Sequence, residues 1–258
     1  MIKIVTFNLR SVWNGHEDGQ NSFIHRAGII WEKIKKESPD VISFQEGVPE
    51  SISILKDMLS DYLILGHGRN KDYDGEGVYT AIKKEKFELL SYETFWLSPT
   101  PHIAGSRFEN QSFCPRTCVV TLVRCKQSGT LLRIFNLHLD HESEQARLNG
   151  IKCAIERIYA DSKKEDAHIV LLGDFNEEPD FDSIKYCKTF DKLKLYDITY
   201  NLDATFHDFG RKQVGLKIDY IFTSEKLKEC VEDVELWKDR HNEIYLSDHY
   251  PICVTFNI

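Results

Sequence analysis

LLRIFNLHLDHESEQARLNGIKCAIERIYADSKKEDAHIVLLGDFN, residues 131–176, sets the architecture. Its opening residues, Leu131–Leu137, read as a strand. Over residues 142–160, Ala146, Ile151, Ala154, Ile155 and Ile158 recur near the helical period, which predicts a helix with that stripe turned inward. The apolar run His168–Leu172 reads as a second strand. Gly173-Asp174-Phe175-Asn176 follows it at once. Strand, helix, strand, with a polar cluster where the strand ends, is an α/β pattern.

The earlier part of the chain repeats that order. Residues 1–7 alternate and finish in Ile4-Val5-Thr6-Phe7, a strand. Phe23, Ala27, Ile30, Trp31 and Ile34 predict a helix over residues 22–37, with Ser22 as its cap and Ser38-Pro39-Asp40 as its stop. Val41–Phe44 is a further buried strand, followed by Gln45-Glu46-Gly47. Phe-Asn-Leu occurs at 7–9 and at 135–137, and Asn8 to Glu46 and Asn136 to Asp174 are both 38 positions apart. Element order and spacing together predict two similar halves: two sheets face to face, helices outside, strand ends meeting at one edge. Ligands in α/β sheets favour such an edge.

Between these units, residues 66–77 form a glycine-rich loop that lacks the dinucleotide and phosphate-loop signatures. Residues 78–97 read as hairpin strands. Residues 98–115, with three prolines and a glycine, read as a long surface loop, and long loops in compact domains are often functional. Residues 216–223 and 250–257 are strands. No linker divides the chain, so one domain over residues 1–258 is expected.

Composition narrows the function. Hydrophobic residues make up 41% of the 258 positions, enough for a real core. Arg10 interrupts the apolar start that a secretion signal would need, and no run approaches a membrane span, so a soluble cytoplasmic protein is expected. Seven scattered cysteines without a C-x-x-C pair argue for free thiols and against a zinc site. The net charge of −8 and the lack of a Lys/Arg block disfavour tight phosphate tracking along duplex DNA. A phosphorylated small molecule or a nucleic acid end fits better. The oligomeric state is not encoded in any pattern here.

Chemistry-bearing residues stand where strands should end. Asn8 follows IVTF, Glu46 follows VISFQ, His138, Asp140 and His141 follow IFNL, and Asp174 and Asn176 follow IVLLG. Asp219 lies within LKIDYIF, and Asp248-His249 precede the last strand. Singly, such residues are usually turn formers or caps. Asp219 is harder to dismiss, since a carboxylate within an apolar strand needs a cation or donor beside it. Together, the oxygen ligands Glu46, Asp174, Asn8, Asn176 and Asp248 suit magnesium or manganese rather than zinc.

The segments TFNLR (6–10), FQEG (44–47), HLDH (138–141), GDFNEEP (173–179), KIDYIF (217–222) and SDHYP (247–251) occur in an order that resembles the endonuclease/exonuclease/phosphatase family. GDFN with a downstream SDH is the specific pair. GEG (75–77), FWLS (95–98), PR (115–116) and TFHDF (205–209) resemble the bacterial branch related to carbon-catabolite-repression-type deadenylases. The resemblance implies a four-layer α/β sandwich of two mixed sheets that hydrolyses phosphodiesters or phosphomonoesters with a divalent metal, Mg2+ or Mn2+. It implies Glu46 as the main metal ligand with Asn8 and Asp248 nearby. Asp174 would orient or deprotonate the water, and Asn176 would hold the phosphate. His249, fixed by Asp219, and His138 would donate to phosphoryl oxygens, with Arg116 as a phosphate contact. The abasic-site nucleases of the family are set apart by basic DNA-binding loops that have no counterpart here.

Further expectations come from chemistry. Glu76 accepts from His138 and sets its tautomer, or is a loop carboxylate. His207 reaches the substrate, or does not. Phe95 and Trp96 belong to the core more readily than to a stacking site. Tyr73 or Tyr79 supplies a hydroxyl near the phosphate. Arg69 is a solvated loop charge. Three functions compete: a phosphoester hydrolase, a 3′–5′ exoribonuclease acting on RNA ends, and a non-catalytic binding module. Loss of Glu46, Asp174 or His249 would signal the last, and all three are present.

Overall fold

The computed structural model describes residues 1–11 and 18–258. The strands in chain order are β1 (Ile2–Asn8), β2 (Val41–Gly47), β3 (Tyr62–Gly68), β4 (Gly77–Lys83), β5 (Phe87–Trp96), β6 (Thr117–Cys125), β7 (Leu131–His138), β8 (His168–Asp174), β9 (Tyr196–Asp197), β10 (Asp219–Thr223), β11 (Val231–Leu236), β12 (Arg240–His241), β13 (Ile244–Tyr245) and β14 (Ile252–Phe256). The main helices are α1 (Phe23–Glu37), α2 (Pro49–Met58), α3 (Glu144–Asp161) and α4 (Asp182–Thr189).

Two six-stranded mixed sheets pack face to face. Their orders are β11-β14-β1-β2-β4-β3 and β5-β6-β7-β8-β10-β9. Strand for strand the two match: β1 runs parallel to β2 as β7 does to β8, and every other neighbouring pair is antiparallel. Alternation along each strand divides the core into three layers. Ile4 of β1 and Val170 and Leu172 of β8 point into the space between the sheets. Val5 and Phe7 point the other way, onto Ile30 and Ile34 of α1, and Leu171 meets Ile155 and Ile158 of α3. The central strands therefore read as unbroken apolar runs because both faces are covered. Each fully buried large side chain contributes roughly 1.5–3 kcal/mol. The result is the expected four-layer α/β sandwich with pseudo-symmetric halves.

Three local expectations change. Residues 78–97 are not a hairpin: β4 pairs with β2 and β3, while β5 pairs with β6 in the other sheet. The turn between them carries the chain from one sheet to the other. The two Phe-Asn-Leu copies are not equivalent either. Asn8 ends β1, whereas Asn136 lies two residues before the end of β7. Buried between the sheets, Asn136 donates to the carbonyls of Phe44 and Tyr79 and accepts from Gln45. Ser22 precedes α1, but its side chain makes no capping bond. The 98–115 segment holds no helix or strand, and all seven cysteines are free. Among the described residues no helix is long and apolar enough to cross a membrane.

Candidate active site

Sheet register assembles the centre of the site. β8 lies between β7 and β10, and the pairing sets Asp174 opposite His138 on one side and Asp219 on the other. Gly173 allows this approach: its φ is +140°, and a Cβ there would fall 1.9 Å from the Leu137 carbonyl oxygen. Past Asp174 the chain turns, and the Asn176 N–H donates to Asp174 Oδ1 at 2.8 Å. The Asn176 amide donates to the Leu139 carbonyl at 3.1 Å.

The other sheet supplies Asn8 and Glu46. Asn8 Nδ2 donates to Glu46 Oε1 and to Asp174 Oδ2, each at 2.9 Å. Glu46 sits in a bulge where the β2–β4 register slips between Phe44 and Gly47. His249, just ahead of β14, donates from Nδ1 to Asp219 Oδ2 at 2.8 Å, which aims Nε2 to within 3.8 Å of Asp174 Oδ2. His138 Nε2 lies 3.5 Å from the same oxygen. Arg10, Glu46, Asn176 and Asp208 all have positive φ, so left-handed backbone clusters along this edge. Such conformations cost of order 1–3 kcal/mol each and concentrate at functional sites.

The electrostatics are unbalanced without a cation. Burial, with Glu76 and Asp248 nearby, pushes the Glu46 carboxyl up to about 8. Burial and the neighbouring Asp219 push Asp174 up to about 6. Burial opposes a charge on His249, but Asp219 outweighs it and holds the imidazolium well above its ordinary range. His138 moves the other way: burial and the arginines Arg116 and Arg69 keep it neutral. Ligand atoms of Glu46, His138 and Asp174, and those of Asp174, Asp219 and His249, each lie within 4.8 Å of one another. Oxygen donors crowded together, with carboxyl groups held above their ordinary range, fit a hard cation, which would relieve the repulsion.

Around this centre lies a cavity of about 600 Å³. Glu46, Asp174, Asp208 and Asp248 give it an acidic side, and Arg10, Arg69 and Arg116 add cations. Phe206, Leu216 and Ile218 form an apolar patch, with the Phe206 ring 4.9 Å from that of His249.

The sequence matches the model of the endonuclease/exonuclease/phosphatase family over residues 5–249. The chain belongs to that family. It is similar to an endonuclease/exonuclease/phosphatase from Bacteroides vulgatus, at 27% identity and a TM-score of 0.89 over 98% of this chain and 97% of that one. The mannosyl-6-phosphatase Bt3783 of Bacteroides thetaiotaomicron shares the fold at 24% identity and a TM-score of 0.87, each chain covered in full. Tyrosyl-DNA phosphodiesterase 2 of Homo sapiens is 28% identical over 181 residues, which are 68% of this chain and 42% of that protein. The chain thus spans less than half of that human relative.

Within this family member, Glu46, His138, Asp174, Asn176, Arg116, Asp248 and His249 line one cavity, with Asp219 directly behind His249. Asn8 turns its NH2 toward the carboxylates, while its Oδ1 accepts the Arg10 N–H at 2.9 Å. In this orientation it bridges Glu46 and Asp174 through its NH2 group. Asp248 lines the cavity but stands outside both ligand clusters.

Glu76 does not set the His138 tautomer. It lies 4.0 Å from Nδ1 and takes both guanidinium bonds of Arg69, at 2.9 and 3.0 Å. Arg69 is therefore paired at the cavity wall, not solvated. His207 does not line the cavity: its Nδ1 accepts from Gly210, and its ring stacks on Tyr250 at 3.9 Å. Tyr73 and Tyr79 also stand outside the lining, and Phe95 and Trp96 are buried as core expects. Reading the motifs alone misses Arg10, Arg69, Phe206 and the wholly buried Arg26. Arg26 donates to the carbonyls of Leu9 (2.9 Å) and Leu246 (2.7 Å), and also to that of Arg10. It ties the TFNLR strand end to the SDHYP segment.

Proposed function

We propose that this chain is a divalent-metal-dependent phosphoesterase, one domain over residues 1–258, that hydrolyses a phosphodiester or phosphomonoester by attack of water. The supporting observation is one oxygen, Asp174 Oδ2. It takes the Asn8 amide at 2.9 Å and faces both His138 and His249 within 3.8 Å, next to Glu46. Mg2+, or Mn2+, held by Glu46 with Asp248 near it, would supply positive charge at the phosphoryl oxygens.

The side chains do the rest. Asp174 orients the water and accepts its proton, and Asn8 fixes the carboxylate that does so. Water oxygen bonds to phosphorus, the ester oxygen leaves, and that oxygen takes a proton. His249, aligned by Asp219, donates from Nε2 to a phosphoryl oxygen. Neutral His138 and the Asn176 amide add donors, and Arg116 faces the anion. The arrangement holds donors around developing charge before the substrate arrives, which is where such sites derive most of their rate.

Two relatives, a mannosyl-6-phosphatase and a tyrosyl-DNA phosphodiesterase, support phosphoester chemistry on both monoesters and diesters. A 3′–5′ exoribonuclease acting on RNA ends is the second reading. The apolar patch of Phe206, Leu216 and Ile218 beside His249 favours it, because a base or sugar ring would pack there. A non-catalytic module is disfavoured by the convergence of Glu46, Asp174 and His249.

The test is a panel of poly(A) RNA, single- and double-stranded DNA, nucleotides, sugar phosphates and phospholipid head groups, each with Mg2+ and Mn2+. Cleavage that stops in EDTA and returns with metal is the expected result. Full activity in excess EDTA, or none on any ester, rejects the proposal.

A further inference from the structure

We infer that Thr205 is a positioning residue that sets the distance between Asp219 and His249, an inference that rests on the phosphoesterase reading for its kinetic consequences. Asp219 opens β10 in one sheet, and His249 precedes β14 in the other. Their 2.8 Å bond is a contact between sheets, made by residues 30 positions apart. Sheet pairing alone does not fix such a distance.

Thr205 joins both sides. It is fully buried. Its hydroxyl oxygen accepts the N–H groups of Ile218 and Asp219, both at 3.1 Å. Its carbonyl accepts the N–H of Tyr250 at 2.7 Å, and its own N–H donates to Leu216 at 2.9 Å. One residue thus holds the backbone of the carboxylate on one side and the residue after the imidazole on the other.

The rest of TFHDF tightens the grip. The N–H groups of His207 and Asp208 donate to the Asp248 carbonyl at 2.9 and 3.1 Å. The His207 ring stacks on Tyr250 at an interplanar angle of 22°. That segment clamps SDHYP from behind, which accounts for a motif whose histidine does not reach the cavity.

A hydroxyl matters because it is a compact acceptor for two buried donors. Valine keeps the shape of threonine and removes the acceptor. Two N–H groups are then stranded next to Asp219, and the carboxylate loses its fixed place.

The experiment uses the full chain with bis(p-nitrophenyl) phosphate and Mg2+ or Mn2+. Thr205→Val is expected to lower kcat by at least about 10-fold with KM changed less than about 3-fold, since small misplacements of reacting groups cost rate before binding. Thr205→Ser, which keeps the acceptor, is expected to restore kcat. In an Asp219→Asn background, Thr205→Val is expected to add less than about 3-fold, because residues acting through one another are not additive. A readout apart from activity is the His249 Nδ1–H proton resonance. It is expected downfield in the wild type and the serine variant, and shifted or lost to exchange in the valine variant. If valine prevents folding, Thr205→Cys, a weaker acceptor, is held to the same measurements. A wild type inactive on every ester defeats the phosphoesterase reading and leaves the resonance to judge Thr205. A folded valine variant with wild-type kcat and resonance, or a loss that multiplies in full with Asp219→Asn, overturns the inference.

Discussion

Asn8 Nδ2 donates to Asp174 Oδ2 at 2.9 Å across a sequence separation of 166 residues. The donor ends a strand of one sheet and the acceptor ends a strand of the other. This bond is one of those that join the two sheets, and it holds the Asp174 carboxylate that the proposed mechanism uses as the base. Asp174→Asn keeps the volume and removes the base. Turnover on a responsive phosphoester is expected to fall at least about 100-fold, the lower end for a lost general base. Circular dichroism should show an intact fold. A folded variant with unchanged turnover would take Asp174 out of the mechanism.

Acidity and metal binding are linked at the same spot. Glu46 is raised to about 8 and Asp174 to about 6 in the folded chain. A carboxyl that is raised on folding releases its proton first in the unfolded chain. Without metal, its favourable contribution is therefore whole below the unfolded value and is lost as pH climbs through the folded value. The metal-free protein should lose stability between roughly pH 4 and 8, the span from the ordinary carboxyl range to that of Glu46. A divalent cation replaces the missing protons, so its stabilising effect must grow over that span. Thermal melts with EDTA and with Mg2+ or Mn2+ at pH 5 and pH 8 check this. A metal-induced rise in Tm no larger at pH 8 than at pH 5 would contradict it.

What was legible in the sequence was local. The α3 stripe and the apolar run of β8 carry their periods within a few turns, so their elements were read nearly to the residue. Glu46 and Asp174 stand where strands end and His249 stands just before one begins, and strand ends in an α/β fold converge. Pairing across the molecule was not legible: nothing within residues 78–97 tells that β4 and β5 part into different sheets. Nor does sequence say which charges become buried. Arg26 stands in a helix face and Arg69 in a loop, and only long-range carbonyls and Glu76 make them structural. Around His207 the backbone has positive φ at Asp208 and Phe209. No period survives such a turn, so whether His207 reaches the cavity is not legible in the sequence.

Asn136 separates structural from catalytic polarity. It makes three buried bonds between the sheets, with Gln45, Phe44 and Tyr79, and stands outside the cavity lining. Asn136→Leu takes a donor away from two buried carbonyls, a loss of about 1–3 kcal/mol for each group left unpaired, while the Gln45 amide keeps Thr6 and Ser43 as acceptors. Urea unfolding should show a large drop in stability, while kcat per folded molecule stays near wild type. A variant of unchanged stability would show that these bonds contribute no net free energy.

Arg116 has the opposite profile. It is 4% exposed, its Nε and Nη1 have no hydrogen-bond partner among the described residues, and Nη2 donates to His141 Nδ1 at 2.8 Å. The Asp140 carboxylate is 3.9 Å away and already bonded by Ser112 and the N–H groups of Glu142 and Ser143. Burial, reinforced by Arg69, pulls the guanidinium below its usual range. A charge held in this state is a liability for folding unless a ligand compensates it. Arg116→Met should therefore unfold at the same urea concentration or higher. It should also raise KM for a phosphoester about 10-fold or more, the loss of one charge-assisted bond or slightly over. Arg116→Lys should not restore binding in full, since an ammonium cannot reproduce the planar fork. Urea titration and steady-state kinetics on the same preparations decide between the roles. Lower stability with KM unchanged would make Arg116 a structural residue and leave the phosphate to the histidines and the cation.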